Sequence, residues 1–136
     1  MITKLVKIPI YGTNLHVVIT EDFMSDIQEI NKKYFNNFTQ EDNVLGFSQQ
    51  RGGSTLIIIN VGKHKKQFKK KYEIEVIATI AHEAVHACNQ IFTCIGARTD
   101  ITNDEPQAYL VDYIVKEIYK CYLKYKENES IIHTGK

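Results

Sequence analysis

From about residue 71 to residue 95 the chain carries one unbroken helical pattern, and the remainder reads as scaffold for that helix. Ile74, Ile77, Ala81, Ala84, Val85, Cys88, Ile91, Phe92 and Ile95 recur at the i, i+3, i+4, i+7 spacing of a core-facing stripe, and Gly96 is the residue type that ends a helix. His82, His86, Glu75, Thr79, Asn89 and Gln90 fall on the other face. The two histidines therefore face solvent or a cleft.

Positions four apart on a helix sit one above the other, so His82 and His86 can offer imidazole nitrogens to one ion. Glu83 lies about 100° round from His82, beside such an ion and not on it. A carboxylate there can take a proton from a metal-bound water, which is the mechanical content of the pattern H-E-x-x-H. Zinc is the expected ion.

Composition sets limits on partners. The 136 residues are 43% apolar and 24% charged, enough for one domain that buries roughly two thirds of its unfolded surface without a metal to hold it together. Basic and acidic residues number 17 and 16, a net charge of +1, so no global field draws the chain to nucleic acid or an anionic membrane. The basic run around Lys63, His64, Lys65, Lys66, Lys69, Lys70 and Lys71 reads as a solvated loop and first helical turn, not a phosphate site, with His64 a solvated loop histidine. Cys88, Cys94 and Cys121 are an odd set in apolar surroundings without C-x-x-C spacing, as expected in a reducing compartment, and Cys88 reads as a small core residue. The first nine residues alternate polar and apolar types unlike a signal peptide, and no apolar run approaches the roughly 18 residues of a membrane span. A cytoplasmic protein is the expectation; no feature sets an oligomeric state.

Taken in order, residues 3 to 10 and 15 to 20 read as strands joined by a turn at Tyr11-Gly12-Thr13-Asn14. A helix follows from about 21 to 37, then a polar loop from Asn36 to Asn43. Residues 44 to 50 and 54 to 61 flank Gly52-Gly53 as a second hairpin, and Leu56-Ile57-Ile58-Ile59, apolar on both faces, belongs in a central strand. Asp104-Glu105-Pro106 opens the last helix, whose buried stripe is Leu110, Val111, Ile114, Val115, Ile118 and Tyr122. The expectation is an α+β fold in a single domain over residues 1–127, with 128–136 a frayed tail.

Two imidazoles leave a tetrahedral zinc one protein ligand short of a catalytic set. Asp100, Asp104, Glu105 and Asp112 are the acidic candidates downstream, and the only later histidine, His133, is in the presumed tail. Glu105 is preferred, with Asp104 as the fallback, because a short connection makes the last two helices antiparallel neighbours. Helix initiation competes for the same residues: Thr102-Asn103-Asp104-Glu105 also reads as a capping box.

On His82-Glu83-Ala84-Val85-His86 and, more weakly, Asn103-Asp104-Glu105-Pro106-Gln107-Ala108-Tyr109, the chain resembles the gluzincin class of zinc metallopeptidases, and most of all its minimal single-domain members and small phage-encoded proteins of this kind. That resemblance implies a small mixed β-sheet followed by a zincin-like metal helix and a glutamate-bearing helix. It implies His82, His86 and Glu105 as zinc ligands, Glu83 as general base, and a peptide or protein substrate, in a host cytoplasm if the gene is a phage's. Where larger gluzincins often carry an Asp four residues after the ligand glutamate, this chain has Tyr109; Tyr109 and Asp112 are the candidates for supporting the ligands. A residue that stabilises the transition state would come from Tyr113, Tyr109, Arg98 or His64. Zincin-like sites place an edge strand beside the metal helix, and residues 45 to 50 or 54 to 61 are expected to supply it. The competing expectation is a non-catalytic zinc-binding module with a regulatory or structural role.

Overall fold

The computed structural model describes residues 1–134, with side chains through Ile131. The fold is α+β, a four-stranded mixed sheet with helices on both faces. Strands β1 (Ile2–Ile8) and β2 (Thr13–Thr20) pair antiparallel, Ile2 opposite Ile19 and Ile8 opposite Thr13. Helix α1 (Phe23–Tyr34) then starts at Asp22, whose carboxylate accepts from the Ser25 amide. Within the following loop a 3-10 turn at Gln40–Asp42 is closed by reciprocal bonds between Thr39 and Asp42. Strands β3 (Gly46–Arg51) and β4 (Ser54–Asn60) form the second hairpin, as the paired glycines suggest.

Strand β4 pairs parallel to β2 and antiparallel to β3, giving the order β1-β2-β4-β3. A parallel pair needs a crossover, and α1 lies on it. The apolar run of β4 is divided between two cores because alternate residues face opposite sides. Leu56 and Ile58 meet Val18, Phe23 and Ile30 under α1, whereas Ile57 and Ile59 enter the larger core with Leu15, Val17 and Ile19. That larger core is closed by α3 (Tyr72–Ile95) and α4 (Glu105–Thr134). Removing a side chain such as Ile57 or Ile80, both within 1% of full burial, is expected to cost about 2–5 kcal/mol.

Three expectations need correction. The basic run is helical: α2 (Val61–Phe68) and a 3-10 turn at Lys69–Lys71 precede α3. Asn60 caps α2 by accepting from the Lys63 amide, and Val61 and His64 are buried, so a short core-facing stripe underlies the lysines. The buried arc of α3 is also rotated from the expected stripe. Val76, Ile80, Glu83, Ala84, Ala87 and Cys88 are buried, while Ile74, Ile77, Val85 and Ile95 are exposed, as is Ala81. The physical reason is that α3 packs between the edge strand and α4, which turns its Glu83 side inward. Finally, Cys94 is exposed, unlike Cys88 and Cys121.

Helix α4 continues through the stretch expected to fray, as far as Thr134. Glu129 there binds Lys65 of α2 at 2.7 Å, and Lys65 also donates to the Tyr125 hydroxyl and to Glu21. His133 lies beyond the last described side chain, and residues 135–136 lie outside the described residues. No helix among the described residues is long and apolar enough to cross a membrane.

Candidate metal centre

Helix α3 presents its polar ridge between two supports. On one flank β3 runs beside it, with Gln90 Nε2 donating to Ser48 at 3.4 Å. On the other flank the first turn of α4 docks one turn beyond His86: Gln107 Nε2 donates to Asn89 Oδ1 at 3.1 Å, and Cys88 Sγ to the Gln107 carbonyl at 3.7 Å. Burial pushes the Cys88 thiol up to about 11, so at neutral pH it is a protonated core group and not a thiolate ligand.

His82 and His86 turn their rings toward each other, Nε2 to Nε2 at 3.1 Å with ring centroids 4.7 Å apart. Two nitrogens each bound at 2.0–2.1 Å to one tetrahedral ion stand about 3.3 Å apart, so the pair fits a shared zinc with little movement. The same spacing fits an N–H···N hydrogen bond in the metal-free protein. Beside the pair, Glu83 is only 5% exposed and its Oε2 is 4.0 Å from His82 Nε2. Its carboxylate forms no hydrogen bond among the described residues. It forms part of the wall of an open cleft of about 510 Å³ with Leu45, Gly46, Lys63, Thr79 and His82.

Gly46 is what allows β3 to come this close. A Cβ there would lie 2.5 Å from Thr79 Cγ2 and 2.9 Å from Glu83 Oε2, both far inside contact distance. Thr79 is β-branched and stiff, so it cannot swing clear. The strand beside α3 is thus β3, the first of the two segments expected to supply it, while the 54–61 segment is central.

His64 is not a solvated loop residue. It is fully buried, with Nδ1 2.7 Å from the Asn60 carbonyl and Nε2 2.7 Å from Thr79 Oγ1. A carbonyl only accepts, so Nδ1 carries the proton and Nε2 accepts from the Thr79 hydroxyl. Burial depresses the His64 pKa, while the Asn60 carbonyl and Glu75 oppose that effect. With both nitrogens engaged and the ring neutral, His64 is not free to stabilise a developing oxyanion. Its side chain ties α2 to α3 one turn before Glu83. The only signal in the sequence is the i, i+3 spacing of Val61 and His64, which puts both on one face of a short helix.

The third ligand is not assembled. Among the described residues no group of three or more His, Cys, Asp or Glu is placed to hold a metal ion. Glu105 is the first residue of α4 and is exposed, Asp104 sits at the helix start with its carbonyl accepting from Ala108, and Asp112 pairs with Lys116 at 3.2 Å on its own helix. Tyr109 is 70% exposed. Thr102, half of the possible capping box, instead donates to Asp100 through both amide and hydroxyl. Arg98 is exposed and Tyr113 packs against the core. Comparison with protein-family models, with curated proteins and with solved structures gives no match.

Proposed function

We propose that the chain is a zinc-dependent metallopeptidase in which His82 and His86 hold the ion through Nε2 and Glu83 is the general base. The observation that carries this reading is the 3.1 Å approach of the two Nε2 atoms beside a buried carboxylate at the wall of a cleft. Bound zinc supplies a water whose pKa falls toward about 7 and a Lewis acid for the scissile carbonyl. Glu83 Oε2 takes the proton of that water and later returns it to the leaving amine. Its burial beside Gly46 keeps the carboxylate in place and free of competing partners.

The substrate is an extended peptide. β3 is an edge strand next to the cleft, with no strand on its outer side, and an extended peptide added along that side carries the scissile bond past Glu83. Glu105 is the proposed third ligand, because its helix docks one turn beyond His86, with Asp104 as the fallback.

The test is zinc content together with hydrolysis of an unfolded protein such as casein. Wild type is expected to hold one zinc and to cleave; Glu83→Gln is expected to hold zinc and fold unchanged while losing about 10²- to 10⁴-fold in rate. Equal rates for wild type and Glu83→Gln sink the peptidase. Loss of stoichiometric zinc in Glu105→Ala supports that ligand, and retention removes it. A second reading, a non-catalytic zinc-binding regulatory or structural module, rests on the same approach of His82 and His86. In that case zinc raises the melting temperature of wild type and Glu83→Gln equally, and no hydrolysis accompanies it.

A further inference from the structure

The opposite face of the sheet carries a second cleft, of about 510 Å³, within the range of small-molecule sites. It exists because α1 is only 12 residues long and leaves part of its face of the sheet uncovered. The pairing register shows which residues form the floor. Thr3, Val18, Ile58 and Phe47 make a row across all four strands, with Val18 and Ile58 in the small core under α1. The next row, Leu5, His16, Leu56 and Gln49, lies in the cleft, and Ser54 and Arg51 of the row after it complete that side. The wall is the end of α1 and its exit, Lys33 to Asn36.

Two kinds of chemistry meet there. The first is cationic. Lys4 is answered by Glu117 at 3.4 Å, but Lys33 and Arg51 have no ion pair among the described residues. Lys33 donates to Thr3 Oγ1, and Arg51 to the Phe35 carbonyl and Asn36 Oδ1, all neutral acceptors that leave guanidinium donors over. No carboxylate lines the cleft; Glu29, whose charge reaches Tyr34, stands back on α1 outside it.

The second is planar and apolar. His16 sits edge-on to Tyr34 at 5.4 Å, and burial and Lys33 both depress its pKa, so near neutral pH it is an uncharged flat ring. Phe35 holds a left-handed backbone, φ 54°, that a bulky side chain adopts only at a cost, and the residue is 83% exposed. Arg51 grips the carbonyl of that same residue, so the cation and the strained aromatic are held as one unit.

We propose that this cleft binds a small ligand joining a phosphate to a planar ring, in chemical class a nucleoside monophosphate. The fork of Arg51 and the Lys33 ammonium meet the phosphate, and His16, Tyr34 and Phe35 offer faces or edges to the ring. The site is separate from the His82–His86 ridge and does not depend on the reaction proposed there.

Calorimetric titration of the full chain with adenosine 5′-monophosphate tests it. Saturable one-to-one binding with a Kd below about 1 mM is expected, with adenosine and inorganic phosphate each at least about tenfold weaker. Arg51→Gln and Lys33→Gln each weaken the nucleotide about tenfold, while Glu83→Gln leaves its affinity unchanged. Lys33→Gln serves if Arg51→Gln disturbs the loop it holds, which circular dichroism reports. No saturable binding overturns the proposal, as does phosphate or adenosine alone binding as well as the nucleotide. Affinity unmoved by both variants, or tighter binding of a single-stranded oligonucleotide than of the mononucleotide, overturns it too.

Discussion

His64 bonds Thr79 of α3, His82 lies three residues further along that helix, and the same imidazole is used at the two places in opposite ways. His64 is buried, neutral and engaged at both nitrogens, by Asn60 and by Thr79. His82 is exposed, and the partner its Nε2 faces is a second imidazole. A buried polar group must have its hydrogen bonds satisfied within the protein, so the first arrangement is explained by folding alone. An exposed pair gains little for the fold from facing nitrogens in water. Folding therefore accounts for His64 and not for the facing of His82 and His86, which is the contrast on which the proposed metal site rests.

The largest effect that breaks this comparison is on metal, not stability. His82→Ala and His86→Ala are each expected to abolish stoichiometric zinc binding while shifting unfolding free energy by no more than about 0.5 kcal/mol, as exposed substitutions do. Zinc analysis beside a urea titration of the metal-free protein measures both. A pair that proved structural would show the reverse. His64→Ala should give that reverse pattern: a loss of about 2–4 kcal/mol from the cavity and from the unpaired Asn60 carbonyl and Thr79 hydroxyl, with the two exposed histidines still present to bind zinc.

Sequence reading captured the elements whose pattern is local. The two hairpins and the stop of α3 at Gly96 are set by turn and capping residues a few positions apart, and all are observed; the first helix, expected over about 21 to 37, spans Phe23–Tyr34 and ends early at a left-handed Phe35. The ridge position of His82 and His86 was equally legible, because helix periodicity alone puts them together. What failed was whatever depends on which neighbour an element meets. A helical wheel centred on Ile74, Ile77, Val85 and Ile95 ignores that β3 approaches from the Glu83 side, and these four side chains are exposed instead. Seven basic positions hid the buried stripe of α2, since lysines on a short helix look the same as lysines in a loop.

Gly46→Ala sharpens the same contrast from the strand side. The added methyl meets Thr79 and Glu83 together, the one tied to His64 and the other beside His82. Overpacking of this kind costs about 1–3 kcal/mol. If β3 moves away to relieve it, the proposed hydrolysis falls by a larger factor than the stability loss explains, and amide exchange along residues 46–51 rises. Thr79→Val is smaller still. It keeps the shape but removes the hydroxyl from His64 Nε2, with an expected loss of about 1–2 kcal/mol in chemical denaturation and no change in zinc content.

The smallest effect is in the pH dependence of stability, and its sign follows from His64. Burial lowers its pKa in the folded chain below the ordinary histidine value of about 6.5, so the unfolded chain takes up the proton first as pH falls. The contribution is complete above about pH 6.5, declines as pH drops from there toward the depressed folded value, and flattens beneath it, with a slope of at most about 1.4 kcal/mol per pH unit for one proton. His16 is shifted the same way by burial and Lys33, so the wild-type curve alone sums the two. Urea midpoints from pH 8 to pH 5 for wild type and His64→Gln isolate the buried residue: the variant should have the shallower acid limb, and parallel curves would mean that His64 is not held neutral by Asn60 and Thr79.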